Sequence, residues 1–369
     1  MSSFARRAMA HPGMSALLIA FAAVVSAGSA RALPLEITTS SLPAAVAGVA
    51  YADSIVAASG TTPYAWTIAD GSLPDGIALD PDTGGLAGTT AVADTAFFVV
   101  RVEDAVGDTA TRALSIVVQA GPAASLAFVQ QPTDIAAGVA FDPVIAVRLQ
   151  DAYGNVVAIA TDSVTVQLTS GTGSLVGTTT VAAVDGVASF PGLTVEVAGS
   201  GKQVTAISGA LTSAVSDSFV VSPAAAATLA FVQQPTAVVA GATISPAVTV
   251  GVQDAYGNAV PDVSVELSLL GTGTLTGGGA VLTDGSGLAT FAGLSIDLAG
   301  TKQLSASSGT LTPAVSDTFL VSPGVVTALA FEQQPASIAA GAAFDPVVAV
   351  SLQDAYGNVV ATATDSVSL

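Results

Sequence analysis

Carboxylates are the side chains of this sequence that could do the most chemistry, because its 369 residues include 27 Asp and Glu, one His and no Cys. Three of them, Glu103, Asp104 and Asp108, stand at the end of an apolar segment. Ca²⁺ is bound by about six to eight oxygens from carboxylates, carbonyls and water. These three residues are therefore the candidate Ca²⁺ ligands. Alternation along a strand works against the site, because it places Glu103 and Asp104 on opposite faces unless the turn begins there.

A second polar motif, D-A-Y-G-N, occurs three times and begins at Asp151, Asp254 and Asp354. Gly and Asn accept positive φ angles, and an Asp carboxylate can accept hydrogen bonds from nearby backbone N–H groups. A ligand site would need further converging polar groups, and none recurs beside the motif. We therefore interpret the motif as a turn between strands.

Other candidate sites are weaker. Asp80 and Asp82 form an acidic pair that is typical of a solvated turn. Tyr64 and Trp66 could form a stacking platform for a sugar, or they could belong to the core. Paired carboxylates are the only groups available for acid and base catalysis. Because the acids of the repeated part fall mainly in turns, the sequence predicts a protein that is not an enzyme.

Composition excludes several classes of site. A disulfide scaffold, a Cys/His zinc site, a haem ligand and a Cys nucleophile all need residues that the chain lacks or has once, at His11. The net charge of −19 and the presence of only two lysines, Lys202 and Lys302, exclude the basic surface that nucleic acids require. Ca²⁺ is the one cofactor for which the sequence offers candidate ligands.

Residues 1–32 have the three parts of a secretory signal peptide. Arg6 and Arg7 form a basic start, residues 15–25 are apolar, and Ala30-x-Ala32 is a cleavage sequence. An uncleaved signal anchor is the alternative, but this apolar run is shorter than the ~20 residues of a membrane-spanning helix. We predict cleavage after Ala32 and secretion, which leaves 5 basic and 27 acidic residues.

The rest of the chain contains an internal repeat. Three copies of one unit follow each other, offset by 103 and then 100 residues, and 24 of 30 positions are identical between 128–157 and 331–360. We define copy 1 as residues 121–223, copy 2 as 224–323 and copy 3 as 324–369. Leu369 aligns with Val166, so we expect copy 3 to be a truncated domain of about three strands that lacks the counterpart of 167–223.

Hydrophobic alternation with period two predicts an all-β protein of tandem immunoglobulin-like β-sandwich domains. Gly and Pro punctuate the copies every 8–12 residues, which gives about seven short strands per hundred residues. About six residues, 222–227, should connect copy 1 to copy 2. Residues 33–120 form a further sandwich, with strands at 65–69, 97–103 and 113–119 and turns at 70–76 and 80–88.

Residues 60–118 contain a pattern formed by Pro63, Tyr64, Trp66, Leu73, Pro74, Gly76, Leu79, Asp80, Thr83, Gly84, Gly88, Thr89 and Asp104. With this pattern the segment resembles the bacterial "Putative Ig" family, which has a cadherin-like fold. Thr90 stands where that family usually has Pro. In that family the Trp lies on a strand, which favours the core for Trp66. The cadherin-like fold adds weight to Ca²⁺ binding, although runs such as D-x-N-D-N are missing.

Copy 2 contains two motif blocks, which are Val250, Asp254, Gly257, Asn258 and Val260, then Thr283, Asp284, Gly287, Ala289 and Phe291. With these blocks the copies are similar to bacterial Ig-like domains of the invasin and intimin type. Both resemblances imply secreted or surface-exposed bacterial modules, and neither implies a reaction.

The sequence therefore predicts a non-enzymatic secreted, cell-surface or membrane-associated protein that acts as an adhesive or spacer rod. Its partners would be the neighbouring Ig-like domains of the same chain and a surface protein or glycan, with no nucleic acid and no transmembrane helix in the mature segment. Two alternatives stay open. The domains could be accessory modules of a large extracellular enzyme with its catalytic domain beyond the C-terminus, or a Ca²⁺-dependent cadherin-like adhesion module.

Overall fold

The protein is built from β-strands and turns, as predicted. A computed structural model describes residues 33–368, and no helix occurs among them. The all-β fold of tandem Ig-like domains is confirmed. The predicted signal peptide lies outside the described residues. In the part of the chain that the structure describes, no helix is long and apolar enough to cross a membrane.

The chain divides into two compact units. Among the described residues, the first consists of 33–45, 50–90 and 94–118, and the second consists of 46–49, 91–93 and 119–368. The second unit therefore contains all three copies of the repeat.

The first unit contains two main sheets, ordered β2-β9-β8-β5 and β3-β7-β6, and a short β1-β4 pair. Period-two alternation is visible in β8, where Phe98, Val100 and Val102 are buried and the residues between them are more exposed. The strands are β1 (Glu36–Ile37), β2 (Ala45–Val46), β3 (Tyr51–Ser54), β4 (Ala57–Ala58), β5 (Ala65–Gly71), β6 (Ile77–Leu79), β7 (Gly85–Gly88), β8 (Thr95–Glu103) and β9 (Thr109–Gln119).

The strands predicted at 65–69, 97–103 and 113–119 are confirmed by β5, β8 and β9. The turn predicted at 80–88 is wrong over its last four residues, which form β7. Gly85 and Gly88 indicated a break, but the segment pairs with both β3 and β6 and buries Leu86 between the sheets. Burial of one leucine and two ladders of backbone hydrogen bonds outweigh the low strand propensity of glycine.

Copy 1 forms its own hydrophobic core between two sheets, ordered β10-β12-β16 and β11-β20-β18-β13-β15. Ile145, Val147 and Leu149 alternate on β12 and are fully buried. The strands are β10 (Ser125–Gln130), β11 (Ile135–Ala136), β12 (Ile145–Gln150), β13 (Ser163–Ser170), β14 (Leu175–Val176), β15 (Thr180–Ala182), β16 (Val187–Phe190), β17 (Thr194–Val195), β18 (Gly199–Ile207), β19 (Ala214–Val215) and β20 (Phe219–Ser222).

Copy 2 repeats this topology strand for strand, with a separate core. Three residues connect β20 to β21, which is shorter than the six predicted. The strands are β21 (Ala226–Gln233), β22 (Val238–Val239), β23 (Val248–Asp254), β24 (Ser264–Leu270), β25 (Leu275–Thr276), β26 (Val281–Leu282), β27 (Leu288–Phe291), β28 (Ser295–Ile296), β29 (Gly300–Ser307), β30 (Ala314–Val315) and β31 (Phe319–Ser322).

Copy 3 contributes two strands, β32 (Ala328–Gln333) and β33 (Ala349–Gln353), where three were predicted. They pair with each other in the register that β21 and β23 use in copy 2. Leu329, Phe331 and Phe344 are exposed. The hairpin nevertheless presents a third D-A-Y-G-N turn directly after β33.

Candidate functional site at the D-A-Y-G-N turns

The D-A-Y-G-N turn of copy 2 is organised by the carboxylate of Asp254, which is buried at the end of β23. Its Oδ1 accepts the backbone N–H groups of Tyr256 and Asn258, both at 2.9 Å. Gly257 adopts φ +83°, which a residue with a Cβ adopts at a cost. The predicted turn is confirmed, and the carboxylate holds it closed.

The same carboxylate also holds the chain that enters copy 2. Its Oδ2 accepts the backbone N–H of Ala224, in the short connection after β20, at 2.8 Å. The turn at the end of β23 and the connection from copy 1 are thereby fixed to each other.

Asn258 extends the turn to copy 1. Its Nδ2 donates to Asp254 Oδ2 at 2.8 Å and to the carbonyl of Glu196 at 2.7 Å. Its Oδ1 accepts the N–H of Ala198 at 2.8 Å. The opposite orientation of the amide would set its N–H donors against the Ala198 N–H, so the network determines the orientation. One amide hydrogen and the carbonyl of this side chain join the two copies, and the other amide hydrogen holds the side chain to Asp254 of its own copy.

Tyr256 makes the second contact with copy 1, because its ring lies against Gly138. A Cβ added to Gly138 would be 1.8 Å from the tyrosine hydroxyl oxygen, and this glycine has φ +75°. Glycine is therefore required here twice, for its backbone conformation and for the close approach of the ring.

Copy 3 contacts copy 2 in the same way. Asp354 accepts the N–H groups of Gly324, Tyr356 and Asn358 at 2.8–2.9 Å. Asn358 donates to the carbonyl of Asp297 at 2.8 Å and accepts the N–H of Ala299 at 2.8 Å. The Tyr356 ring lies against Gly241.

In copy 1, Asp151 accepts the N–H of Gly121 at 2.9 Å. Asn155 donates to the carbonyl of Ala91 and accepts the N–H of Ala93. Both alanines belong to the second compact unit, as copy 1 does. We call these three sets of contacts the D-A-Y-G-N contacts.

The carboxylates of the D-A-Y-G-N contacts are held in the charged form. Burial raises the pKa of Asp254, but hydrogen bonds from Asn258, Ala224 and Tyr256 outweigh it and hold the pKa below its ordinary value. The same opposition of burial and N–H donors lowers the pKa of Asp354 to about 2. Hydrogen bonds to an ionised acceptor are stronger than neutral ones, so these contacts are strongest above the pKa.

The predicted Ca²⁺ ligands do not converge. Asp104 is buried and its carboxylate accepts the backbone N–H groups of Thr61, Val106 and Asp108. Glu103 makes an ion pair with Arg101 at 2.6 Å, and Asp108 is exposed. Among residues 33–368, no group of three or more His, Cys, Asp or Glu is arranged to hold a metal ion. Ca²⁺ binding stays a prediction, with Asp104 already occupied by backbone donors.

The remaining candidates are structural. Trp66 is 3% exposed and lies in the core of the first unit, so the core interpretation is correct. Tyr64 donates a short hydrogen bond to the carbonyl of Ser59. Asp80 caps its own turn by accepting the N–H groups of Asp82 and Thr83.

Two structural features were not predictable from the sequence. The first is that Asn258 and Tyr256 reach another copy. Their recurrence in all three copies was visible, but the partner atoms are backbone groups and glycines, which carry no side-chain signal. The second is that Lys202 and Lys302 are buried, although lysine is mostly exposed in proteins. The signal that the sequence offered for their burial is that the two lysines occupy equivalent positions in copies 1 and 2.

No curated protein matches the chain. Three similar solved structures are FdeC, an adhesin of Escherichia coli (17% identity, 77% of this chain and 96% of that chain covered, TM-score 0.42), the D00–D0 domain of intimin (15%, 51% and 98%, 0.33) and mouse cadherin-23 EC22–24 (13%, 78% and 98%, 0.36). Residues 34–119 match the model of the family described as "Putative Ig domain", which confirms the resemblance stated above for this part of the chain.

Proposed function

We propose that the protein is a non-enzymatic secreted or cell-surface protein of bacterial origin, in which tandem Ig-like domains form an adhesive or spacer rod. We divide it into a signal peptide (1–32), a first domain (33–120) and three repeat domains that begin at residues 121, 224 and 324. The observation that carries the proposal is the D-A-Y-G-N contact, which occurs with the same bonds at Asn258 and Asn358.

Copies 2 and 3 are each attached to the preceding copy at two points. The connection is held by Asp254, and the body of copy 1 is held by Asn258 and Tyr256. A flexible linker would leave the copies free to rotate, whereas two points of attachment and a three-residue connection restrict the hinge. Restricted hinges are what a spacer needs to keep a binding surface away from a cell.

The charge of the mature segment determines its solubility and the partners it disfavours. The mature segment has 27 acids and 5 basic residues, which favours solubility and disfavours polyanionic partners. Without Cys, the chain withstands an oxidising environment by packing alone.

Small-angle X-ray scattering of the mature chain tests the proposal. We compare it with a variant that carries Tyr256→Ala, Asn258→Ala, Tyr356→Ala and Asn358→Ala. We expect the native chain to scatter as an extended particle of low flexibility, and the variant to become more flexible with an unchanged circular dichroism spectrum. A native chain that already scatters like beads on a flexible string would refute the rod.

A further inference from the structure

We propose that Lys202 and Lys302 are positioning residues for the D-A-Y-G-N contacts, in that each holds the backbone to which the next copy binds. The proposal rests on the proposed function, because it concerns how the same contact is built. The two lysines are 0% and 3% exposed and occupy the same strand position, in β18 and β29.

Each ammonium group is bound to a loop. Lys302 Nζ donates to the carbonyl oxygen of Thr272 at 2.6 Å and to its hydroxyl oxygen at 3.1 Å. Lys202 Nζ donates to the carbonyl of Thr172 at 2.5 Å. Among residues 33–368 the only ion pair is Arg101–Glu103, so neither lysine is neutralised by a carboxylate. Burial lowers the pKa of Lys202, which shows the cost of keeping its charge there. A buried charge with no counter-ion is expensive, which favours a specific role for these side chains over general stability.

The lysines hold the G-T-G loops, which are residues 171–173 and 271–273. These loops contact the segments to which the next copy binds, which are residues 196–198 and 297–299. In copy 2, Thr274 at the end of the loop donates its N–H to Asp297 Oδ1 at 2.6 Å. A Cβ added to Gly273 would be 2.8 Å from the same oxygen. The carbonyl of Asp297 is the acceptor of Asn358. Hydrogen bonds and the close approach of the Gly273 backbone to Asp297 therefore connect Lys302 with copy 3.

In copy 1 the corresponding path depends on packing. A Cβ added to Gly173 would be 2.9 Å from the Cβ of Val197, between the two residues that bind Asn258. The equivalent of Asp297 is Glu196, for which the structure shows no bond from its side chain to the loop. We therefore expect Lys302 to control its contact more tightly than Lys202 controls its own.

Amide hydrogen exchange in the mature chain tests the proposal. The N–H groups of Ala198 and Ala299 report the contacts, because each is bonded to the asparagine of the following copy. Those of Val204 and Leu304 report the core, because each is bonded to a buried serine hydroxyl of its own copy. Lys302→Met should make Ala299 exchange about fivefold faster, the effect of one lost hydrogen bond, while Leu304 and Ala198 stay unchanged. Lys202→Met should affect Ala198 alone, by a smaller factor.

Asn358→Ala separates this proposal from the proposed function. If it leaves the exchange of Ala299 unchanged, the contact itself is refuted. If it accelerates Ala299 and Lys302→Met does not, the lysine role is overturned. Should Lys302→Met fail to fold, Lys302→Gln retains a donor on a side chain too short to reach Thr272, and the same acceleration is expected. Equal acceleration at Ala299 and Leu304 in that variant would show a general loss of stability and would also overturn the role.

Discussion

Two turns of the protein share one backbone design and differ in what they contact. The D-A-V-G-D turn of the first unit begins at Asp104, and the D-A-Y-G-N turn of copy 2 begins at Asp254. In both, Oδ1 of the first residue accepts the N–H groups two and four positions later, and Oδ2 accepts an N–H from an earlier segment, Thr61 or Ala224. The hydrogen bonds that form the frame of the turn are therefore the same whether or not the turn contacts another copy.

The difference lies in two side chains. The first turn has Val106 and Asp108, which are exposed, where the second has Tyr256 and Asn258, which reach copy 1. A turn becomes a contact between copies when these two positions carry an aromatic ring and an amide. The acidic turn that suggested Ca²⁺ and the turn that suggested no ligand are thus versions of one structure, and the contact is made by the second.

Asp254→Ala should have the largest effect, because it removes the acceptor that organises the frame. Four donors, from Ala224, Tyr256 and Asn258, lose their partner. We expect copy 2 to lose about 2–3 kcal/mol of unfolding free energy in urea titrations followed by circular dichroism. Asp104→Ala should destabilise the first unit in the same direction, and a variant of either turn with native stability would contradict a shared frame.

Gly138→Ala should cause the next largest loss of unfolding free energy, because the new methyl group would occupy the position of the Tyr256 hydroxyl. Gly192→Ala is the matched control, because Gly192 has a similar φ of +72° but no atom within 4 Å of an added Cβ. The control should lose about 1 kcal/mol through backbone strain alone. The excess loss in Gly138→Ala, measured by the same titration, reports the tyrosine contact. Equal losses would mean that the ring moves away freely.

Asn258→Ala and Asp108→Ala compare the same position in the two turns. Asn258→Ala leaves the carbonyl of Glu196 and the N–H of Ala198 without partners, so we expect a loss of about 1–2 kcal/mol in thermal or urea unfolding. Asp108 is exposed, and its side chain takes part in none of the hydrogen bonds of the described residues, so its replacement should be nearly neutral. Equal effects would remove the distinction between the two turns.

Acid should weaken the contact of copy 3. The folded pKa of Asp354 is about 2, below the ordinary 3.8, so its stabilisation is fully present above about pH 4 and is lost as the pH falls through 2. Urea titrations between pH 5 and pH 2 should show this loss in the native chain. Asp354→Asn should show a smaller loss over the same range, and parallel curves would contradict a contribution from this carboxylate.

Ca²⁺ should have the smallest effect. Asp104 already accepts three backbone N–H groups, and a cation would compete with them. We expect melting curves of the mature chain in millimolar Ca²⁺ and in EDTA to coincide, with Asp104→Asn as the control. A stabilisation by Ca²⁺ that this variant abolishes would instead establish the site predicted from Glu103, Asp104 and Asp108.

Much of this structure follows from local sequence rules. The repeat, the alternation of β12 and the turn at Asp254 were predictable because period, glycine and the Asp carboxylate act over a few residues. The strand β7 was not, because one of its two partner strands, β3, lies more than thirty residues earlier in the chain. The contacts of Asn258 were not predictable either, since a repeated motif does not reveal that its partner is the backbone of the preceding copy.

If Asn258 and Tyr256 fix copy 2 to copy 1, the distance between the two copies is well defined. The chain has no Cys, so Gln167→Cys and Ser268→Cys, at matching exposed positions of the two copies, introduce the only sites for spin labels. Double electron–electron resonance then measures the distribution of distances between the copies. We predict a single narrow distribution in the native chain and a broad one when Tyr256→Ala and Asn258→Ala are added. Distributions of equal width in both proteins would contradict the claim.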